Sequence, residues 1–352
     1  MIEKSFWKDK KILVTGHTGF KGSWLCLILK NLGARVTGFS LDDPVSKPSM
    51  FDLLKLDTVV NDYRGDLRSI DECSNIMLKE QPDVVIHMAA QSLVRKSYSQ
   101  PVTTFETNVI GTVNILETAR NLDSVSEIIV VTSDKCYKNI EKDYSYTEDD
   151  SLGGFDPYSS SKACTEHVSS AYYNSFLINE GKGLATVRAG NVIGGGDWSV
   201  DRLFPDAVKS FNIGNKVFIR NPSAVRPWQH VLDPLFGYLL LVEKLHSDKQ
   251  VYSGPWNFGP DKKNCKSVEH VINSFSKMWG DKAAWELFKE DELHEATLLQ
   301  LSSNKSRKKL GWKPKLGLKN ALEYTSDWYK TYYSSKENMY EFTLSQIYKY
   351  ME

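Results

Sequence analysis

One junction constrains this chain more than any other feature. Thr15-Gly16-His17-Thr18-Gly19-Phe20-Lys21-Gly22 follows the apolar run Lys11-Ile-Leu-Val-Thr15 and opens a helical pattern over 21–31. Glycines there let the backbone turn tightly and approach a pyrophosphate, and the helix N-terminus offers unpaired N–H groups and positive potential. A strand, this turn and a helix in series predict the first unit of a dinucleotide-binding sheet.

The following sequence repeats that rhythm. Short β-branched runs at 35–39, 84–88, 128–132 and 184–188 alternate with helical patterns over 69–79, 103–121 and 158–179. Uninterrupted apolar strands separated by helices predict an α/β fold, a doubly wound parallel Rossmann-type sheet covered on both faces. After Gly190 the texture changes: Gly194-Gly-Gly196 and Pro205, Pro222, Pro227, Pro234, Pro255 and Pro260 break it into short pieces,. A helical stretch over 235–245 returns to the first unit, and the tail from Ser267 is mostly helical. We therefore expect a Rossmann domain of residues 1–188 plus about 228–250. A smaller, mostly helical substrate-binding domain would take about 189–227 plus 251–352.

Charge and composition remove whole classes of function. Lys plus Arg is 44 and Asp plus Glu is 44, so no basic surface for nucleic acid is expected. No apolar run approaches the ~20 residues that span a bilayer, and residues 1–11 lack the apolar stretch of a signal peptide, so a cytoplasmic protein is expected. Cys26, Cys73, Cys136, Cys164 and Cys265 are odd in number and lack C-x-x-C spacing, and the seven histidines are scattered. Neither a disulfide framework nor a metal site is expected.

Tyr158-Ser-Ser-Ser-Lys162 places a phenol and an ammonium one turn apart at the head of a helix, on one face,. A free tyrosine titrates near 10 and is a poor base at neutral pH; a cation beside it favours the phenolate. In isolation the spacing is also that of an ordinary surface pair.

Together with the G-x-x-G-x-x-G spacing, this pair resembles the extended branch of the short-chain dehydrogenase superfamily, from Trp7 to about Tyr329. The resemblance implies NAD held by Gly16, Thr18, Gly19, Phe20, Lys21 and Gly22. Ser40 stands past the second strand, where relatives often carry the Asp that holds the adenosine ribose. Asp66-Leu67 would meet the adenine, and Ala89, Ala90, Gln91 and Thr107, with Asn108, would line the cofactor side, as would Tyr158 and Lys162. No Arg follows the second strand to grip a 2′-phosphate, which favours NAD over NADP. Ser133, Tyr158 and Lys162 would bind and deprotonate a substrate alcohol. Relatives also pair two long helices, here 103–121 and 158–179, which implies a homodimer through a helix bundle.

Further runs narrow the likeness: Ser133-Asp134-Lys135-Cys136-Tyr137, Gly190-Asn191-Val192-Ile193-Gly194, Arg226-Pro-Trp-Gln-His230 and Leu310-Gly-Trp-Lys-Pro314. The set is similar to the nucleotide-sugar 4,6-dehydratases, in particular those acting on CDP-glucose in deoxysugar (O-antigen type) biosynthesis. That implies internal NAD redox with water elimination, giving a 4-keto-6-deoxy sugar. Asp134 would protonate the departing 6-hydroxyl. Lys135 stands where related dehydratases carry the Glu that removes the C5 proton. A neutral lysine base and a cation stabilising the enolate both remain open. Asn191, Arg202, Arg226 and His230 are the substrate-binding candidates, since Arg grips phosphate oxygens bidentately and Asn supplies amide donors. A 4-epimerase on the same scaffold and a catalytically silent nucleotide sensor are the rival functions.

Overall fold

The computed structural model describes residues 2–44, 46–280, 282–288, 296–335 and 337–352. Seven strands form the central sheet: β1 (Lys11–Thr15), β2 (Arg35–Ser40), β3 (Asn61–Arg64), β4 (Val84–His87), β5 (Glu127–Val131), β6 (Gly183–Arg188) and β7 (Gly254–Asn257). Their order is β7-β6-β5-β4-β1-β2-β3, all parallel. The order reverses between β1 and β4, where an open α/β sheet leaves a crevice at its carboxyl end.

Period-two alternation decides which residue faces which layer. Ile12, Val14, Val84, Ile86, Ile129, Val131, Ala185 and Val187 join one buried cluster, and Leu13, Val85, Ile128, Val130 and Leu184 the other. The second cluster is covered by α2 (Ile70–Glu80) and α3 (Gly111–Arg120) through Cys73, Ile76, Met77, Ile115, Leu116 and Ala119. The first is covered by α1 (Phe20–Asn31), which buries Trp24 to Leu29, and continues into the second half of the chain.

The two long helical runs are each interrupted. Residues 106–110 and 173–177 are wider π-type turns, so α3 is preceded by a bulged segment and α4 (Pro157–Tyr172) ends in one,. Asp156 caps α4: its carboxylate accepts from the Ser159 amide at 2.9 Å, and Pro157 occupies the first helical position,. The cap fixes the start of the helix that carries Tyr158 and Lys162.

Past β6, the chain builds α5 (Leu203–Asn212), α6 (Leu232–Ser247), α7 (Val268–Trp279), α8 (Leu318–Ser334) and α9 (Met339–Met351). Short strand pairs lie between them, among them 217–219 beside 285–287 and 225–227 beside 265–267. Helix α6 packs back on the sheet, and β7 then supplies its last strand from beyond that helix. The tail is tied down as well. The Tyr350 hydroxyl donates to Asp233 Oδ1 at 2.9 Å, and the Trp328 indole donates to Thr343 Oγ1 at 2.8 Å. No helix among the described residues is long and apolar enough to cross a membrane.

Candidate active site

A cavity of about 880 Å3 opens at the carboxyl end of the sheet, over the point where strand order reverses. Its floor is the glycine turn. Gly16 has φ +73°, and a methyl group on it would lie 2.8 Å from the Ala89 backbone; one on Gly22 would lie 2.2 Å from the Gly16 carbonyl oxygen. Only glycine leaves this cradle open at the head of α1. Thr18, Gly19, Phe20, Lys21, Ser40, Leu67, Ala89, Ala90 and Thr107 complete that side. Burial, with the Arg202 and Lys162 charges, pushes Lys21 down to about 8.

Three expected cofactor or substrate contacts do not reach this wall. The Asp66 carboxylate is taken by Arg68, whose Nη2 lies 2.5 Å from Oδ2, and that pairing holds it below the usual carboxylate range. Gln91 folds back on its own loop: Oε1 accepts from the Leu93 amide at 2.8 Å, and Nε2 donates to Thr104 Oγ1 at 3.0 Å. His230 is fully buried between Trp24 and Tyr324, and burial holds it neutral, at about 3. Ser40 does face the cavity, but its hydroxyl also bonds His17 Nδ1 at 2.9 Å, while His17 Nε2 pairs with Asp62 at 2.8 Å.

The reacting groups converge at the end of β5. Ser133 starts a short turn there, donates to Asp134 Oδ1 at 3.0 Å and accepts from the Lys135 amide at 3.2 Å. Asp134 is buried, and its Oδ2 has no hydrogen-bond partner among the described residues. Tyr158 reaches the same wall from α4. Burial pushes its phenol up to about 12, against the pull of a hydrogen bond with Ser133 and of the Arg202 charge. The expected stabilisation of the phenolate by Lys162 is not seen among the described residues. Its ammonium donates to the Val131 carbonyl at 3.1 Å, and burial lowers it to about 8. Lys135 is half-buried in the wall.

On the opposite side stand Asn191, Arg202 and Arg226. Asn191 adopts a left-handed φ of +39°. Arg202 bonds Asp197 at 3.2 Å and Ser92 Oγ at 3.3 Å. Arg226 donates to the carbonyls of Val225 at 3.0 Å, Thr297 at 3.2 Å and Ala296.

Other contributors escaped the sequence reading. Glu166, one turn beyond Lys162, forms a buried two-point pair with Arg188 at 2.8 and 2.9 Å and accepts from Thr132 and Thr186. Burial opposes ionisation of Glu166, yet Arg188 and the two hydroxyls hold it below its ordinary value. A charged residue ending the apolar run 184–188 was the available signal. Gly190 is the second: a methyl there would lie 1.9 Å from Asp134 Oδ2.

A doubly wound sheet with a glycine cradle at its switch point, and Ser133, Tyr158 and Lys162 beside it, defines the extended short-chain dehydrogenase class. Residues 13–325 match the family model described as GDP-mannose 4,6 dehydratase, and the chain belongs to that family. Its sequence is 46% identical over 337 residues to the CDP-glucose 4,6-dehydratase of Salmonella typhimurium (strain LT2), covering 94% of each chain. Its fold is similar to the Thermus thermophilus UDP-glucose 4-epimerase in complex with NAD (TM-score 0.79, 23% identity, 91% of this chain and 99% of that one). The dTDP-glucose 4,6-dehydratase of Bacillus anthracis, also in complex with NAD, is comparable (TM-score 0.76, 22% identity, 92% and 97%).

Proposed function

We propose that the protein is a hydro-lyase, a CDP-glucose 4,6-dehydratase producing CDP-4-keto-6-deoxyglucose in the cytoplasm for deoxysugar synthesis. The substrate rests on the 46% relative; the reaction is supported by the Asp134 carboxyl. Its Oδ2 has no hydrogen-bond partner among the described residues and shares the cavity with Tyr158, a place for a proton donor to a leaving hydroxyl that a 4-epimerase does not need.

The Gly16 and Gly22 cradle fits a pyrophosphate, with Leu67, Ala89, Thr107 and Lys162 along the rest of the cofactor. NAD held there would supply the hydride acceptor for sugar C4 and the hydride donor for C6. Tyr158 Oη takes the 4-hydroxyl proton, and the Ser133 hydroxyl holds that oxygen. The 4-keto group acidifies C5–H. Asp134 protonates the 6-hydroxyl, which leaves as water when the C5 proton is lost, and C5 is reprotonated as C6 is reduced. Lys135 acts at C5, as neutral base or as enolate-stabilising cation. Arg202, Arg226 and Asn191 hold the diphosphate, and the smaller unit of 189–227 plus about 258–352 closes over the nucleotide, residues 254–257 having gone to the sheet as β7 instead of to the expected 251–352. Two copies pair through the faces that carry Val102, Phe105, Ile110 and Phe176.

Incubation of the protein with CDP-glucose, followed by keto-sugar absorbance in alkali, tests this. Keto-sugar is the expected product. A sugar epimerised at C4 refutes the dehydratase in favour of the epimerase, and unchanged substrate refutes both.

A further inference from the structure

Another of the cavity's carboxylates lies away from the reacting centre. Asp206, in the first turn of α5, is half-buried in the wall, and no hydrogen bond or ion pair joins its side chain to a described residue. Phe204, Val217, Phe218, Ile219 and Trp228 line the wall near it, beside the ion-paired Asp201 and Arg220. Phe204 and Trp228 meet edge to face at 5.9 Å, while Phe218 is largely exposed and touches Phe288 only by its edge, with centroids 6.3 Å apart. Such a slot takes a flat ring against Phe218. Asp201 on the same wall is ion-paired with Arg220 and Arg95, so Asp206 is the acid left to set a condition on that ring's edge.

An ionised carboxylate only accepts hydrogen bonds. It repels a diphosphate, which the arginines on the same wall attract. Among pyrimidines, cytosine presents an amino donor at C4, whereas uracil and thymine present a carbonyl oxygen at the same place. An acid here therefore attracts one and rejects the others, and rejection contributes to selectivity as much as attraction does.

We propose that Asp206 selects the base, accepting the exocyclic amine of a cytosine stacked on Phe218 and excluding the C4 carbonyl of uracil or thymine. The assignment rests on the CDP-glucose reading of the same cavity. Burial, which raises Asp206 to about 6, leaves it mostly ionised at neutral pH.

Calorimetric titration of CDP, UDP and dCDP tests the contact without requiring catalysis. The wild type should prefer CDP to UDP. Asp206→Asn, whose amide can donate to a carbonyl, should reduce the CDP-to-UDP preference by roughly ten- to a hundredfold, the scale of a hydrogen bond to a charged group. Asp206→Ala should weaken CDP and, by removing the acceptor that rejects the C4 carbonyl, strengthen UDP, and melting temperatures near wild type establish that both variants fold. Equal weakening of CDP and UDP overturns the proposal, as does a wild type that binds the two alike. Loss of dCDP binding matched to the loss caused by Asp206→Ala moves the contact to the ribose and also overturns it. A wild type that prefers CDP but leaves CDP-glucose unchanged refutes the catalytic reading and upholds the base contact.

Discussion

Replacing Gly190 with alanine puts a methyl group where the Asp134 carboxyl now sits. The added carbon would fall 1.9 Å from Oδ2 and 2.5 Å from Cγ. Relaxed carbon contacts need about 3.5 Å, so the carboxyl must retreat by about 1.5 Å. That breaks its 3.0 Å bond from Ser133 or drags Ser133 with it. Misplacement of a reacting group by about 1 Å costs on the order of a hundredfold in rate, or about 2.7 kcal/mol of barrier. Overpacking also costs about 1–3 kcal/mol of stability, a melting shift of a few degrees in a chain of this size. Initial rates of keto-sugar formation, read beside a thermal melt, separate the two effects. A Gly190→Ala protein that turns over CDP-glucose within threefold of wild type would refute the role given to the Asp134 carboxyl.

Tyr158→Phe should remove turnover while leaving CDP binding within about twofold, because only the proton acceptor is lost; turnover within tenfold of wild type excludes Tyr158 as the base. For Lys135, exchange of the C5 hydrogen with solvent deuterium is the informative readout. Lys135→Arg should keep exchange if the lysine acts as a cation and lose it if it acts as a base, while rapid exchange in Lys135→Ala removes Lys135 from the reaction. Asp233 gives a stability prediction. Burial raises it from 3.8 to about 6, so between those values the folded protein binds the extra proton and stability falls as pH rises,. About two units correspond to roughly 3 kcal/mol. Asp233→Asn should flatten this decline in denaturant midpoints between pH 4 and 6.5, and parallel slopes for the two proteins would contradict the assignment.

What the sequence made legible is what local chemistry dictates. The glycine turn, the apolar strands and the Tyr158–Lys162 spacing are each read from neighbours along the chain. Long-range choices were not. The last strand of the sheet contains Gly254 and Pro255, residues that weaken a strand, and pairing at the sheet edge is what admits them,. Asp66 pairs with Arg68 only two residues on, a partner visible in the sequence but not ranked by it. Gln91 spends its amide on Leu93 and Thr104, and His230 is sealed between two aromatic rings; both depend on packing that no spacing encodes. Asp206 carried no signal at all, because an acid in the first turn of a helix is ordinarily a solvated residue favoured by the helix dipole.

The late arrival of β7 has a consequence for the protein while it is being made. At about 5–20 residues per second a ribosome takes several seconds to travel from the end of β6 to β7. Through that interval β6 stands as the unpaired border of a nearly finished sheet, a template for any other extended chain nearby. Nascent chains stalled or truncated before about residue 254 should therefore depend on chaperones and aggregate when these are scarce. Release of the full-length chain closes that border with Gly254–Asn257. Slower synthesis across residues 189–253 should therefore lower how much of the protein a cell recovers.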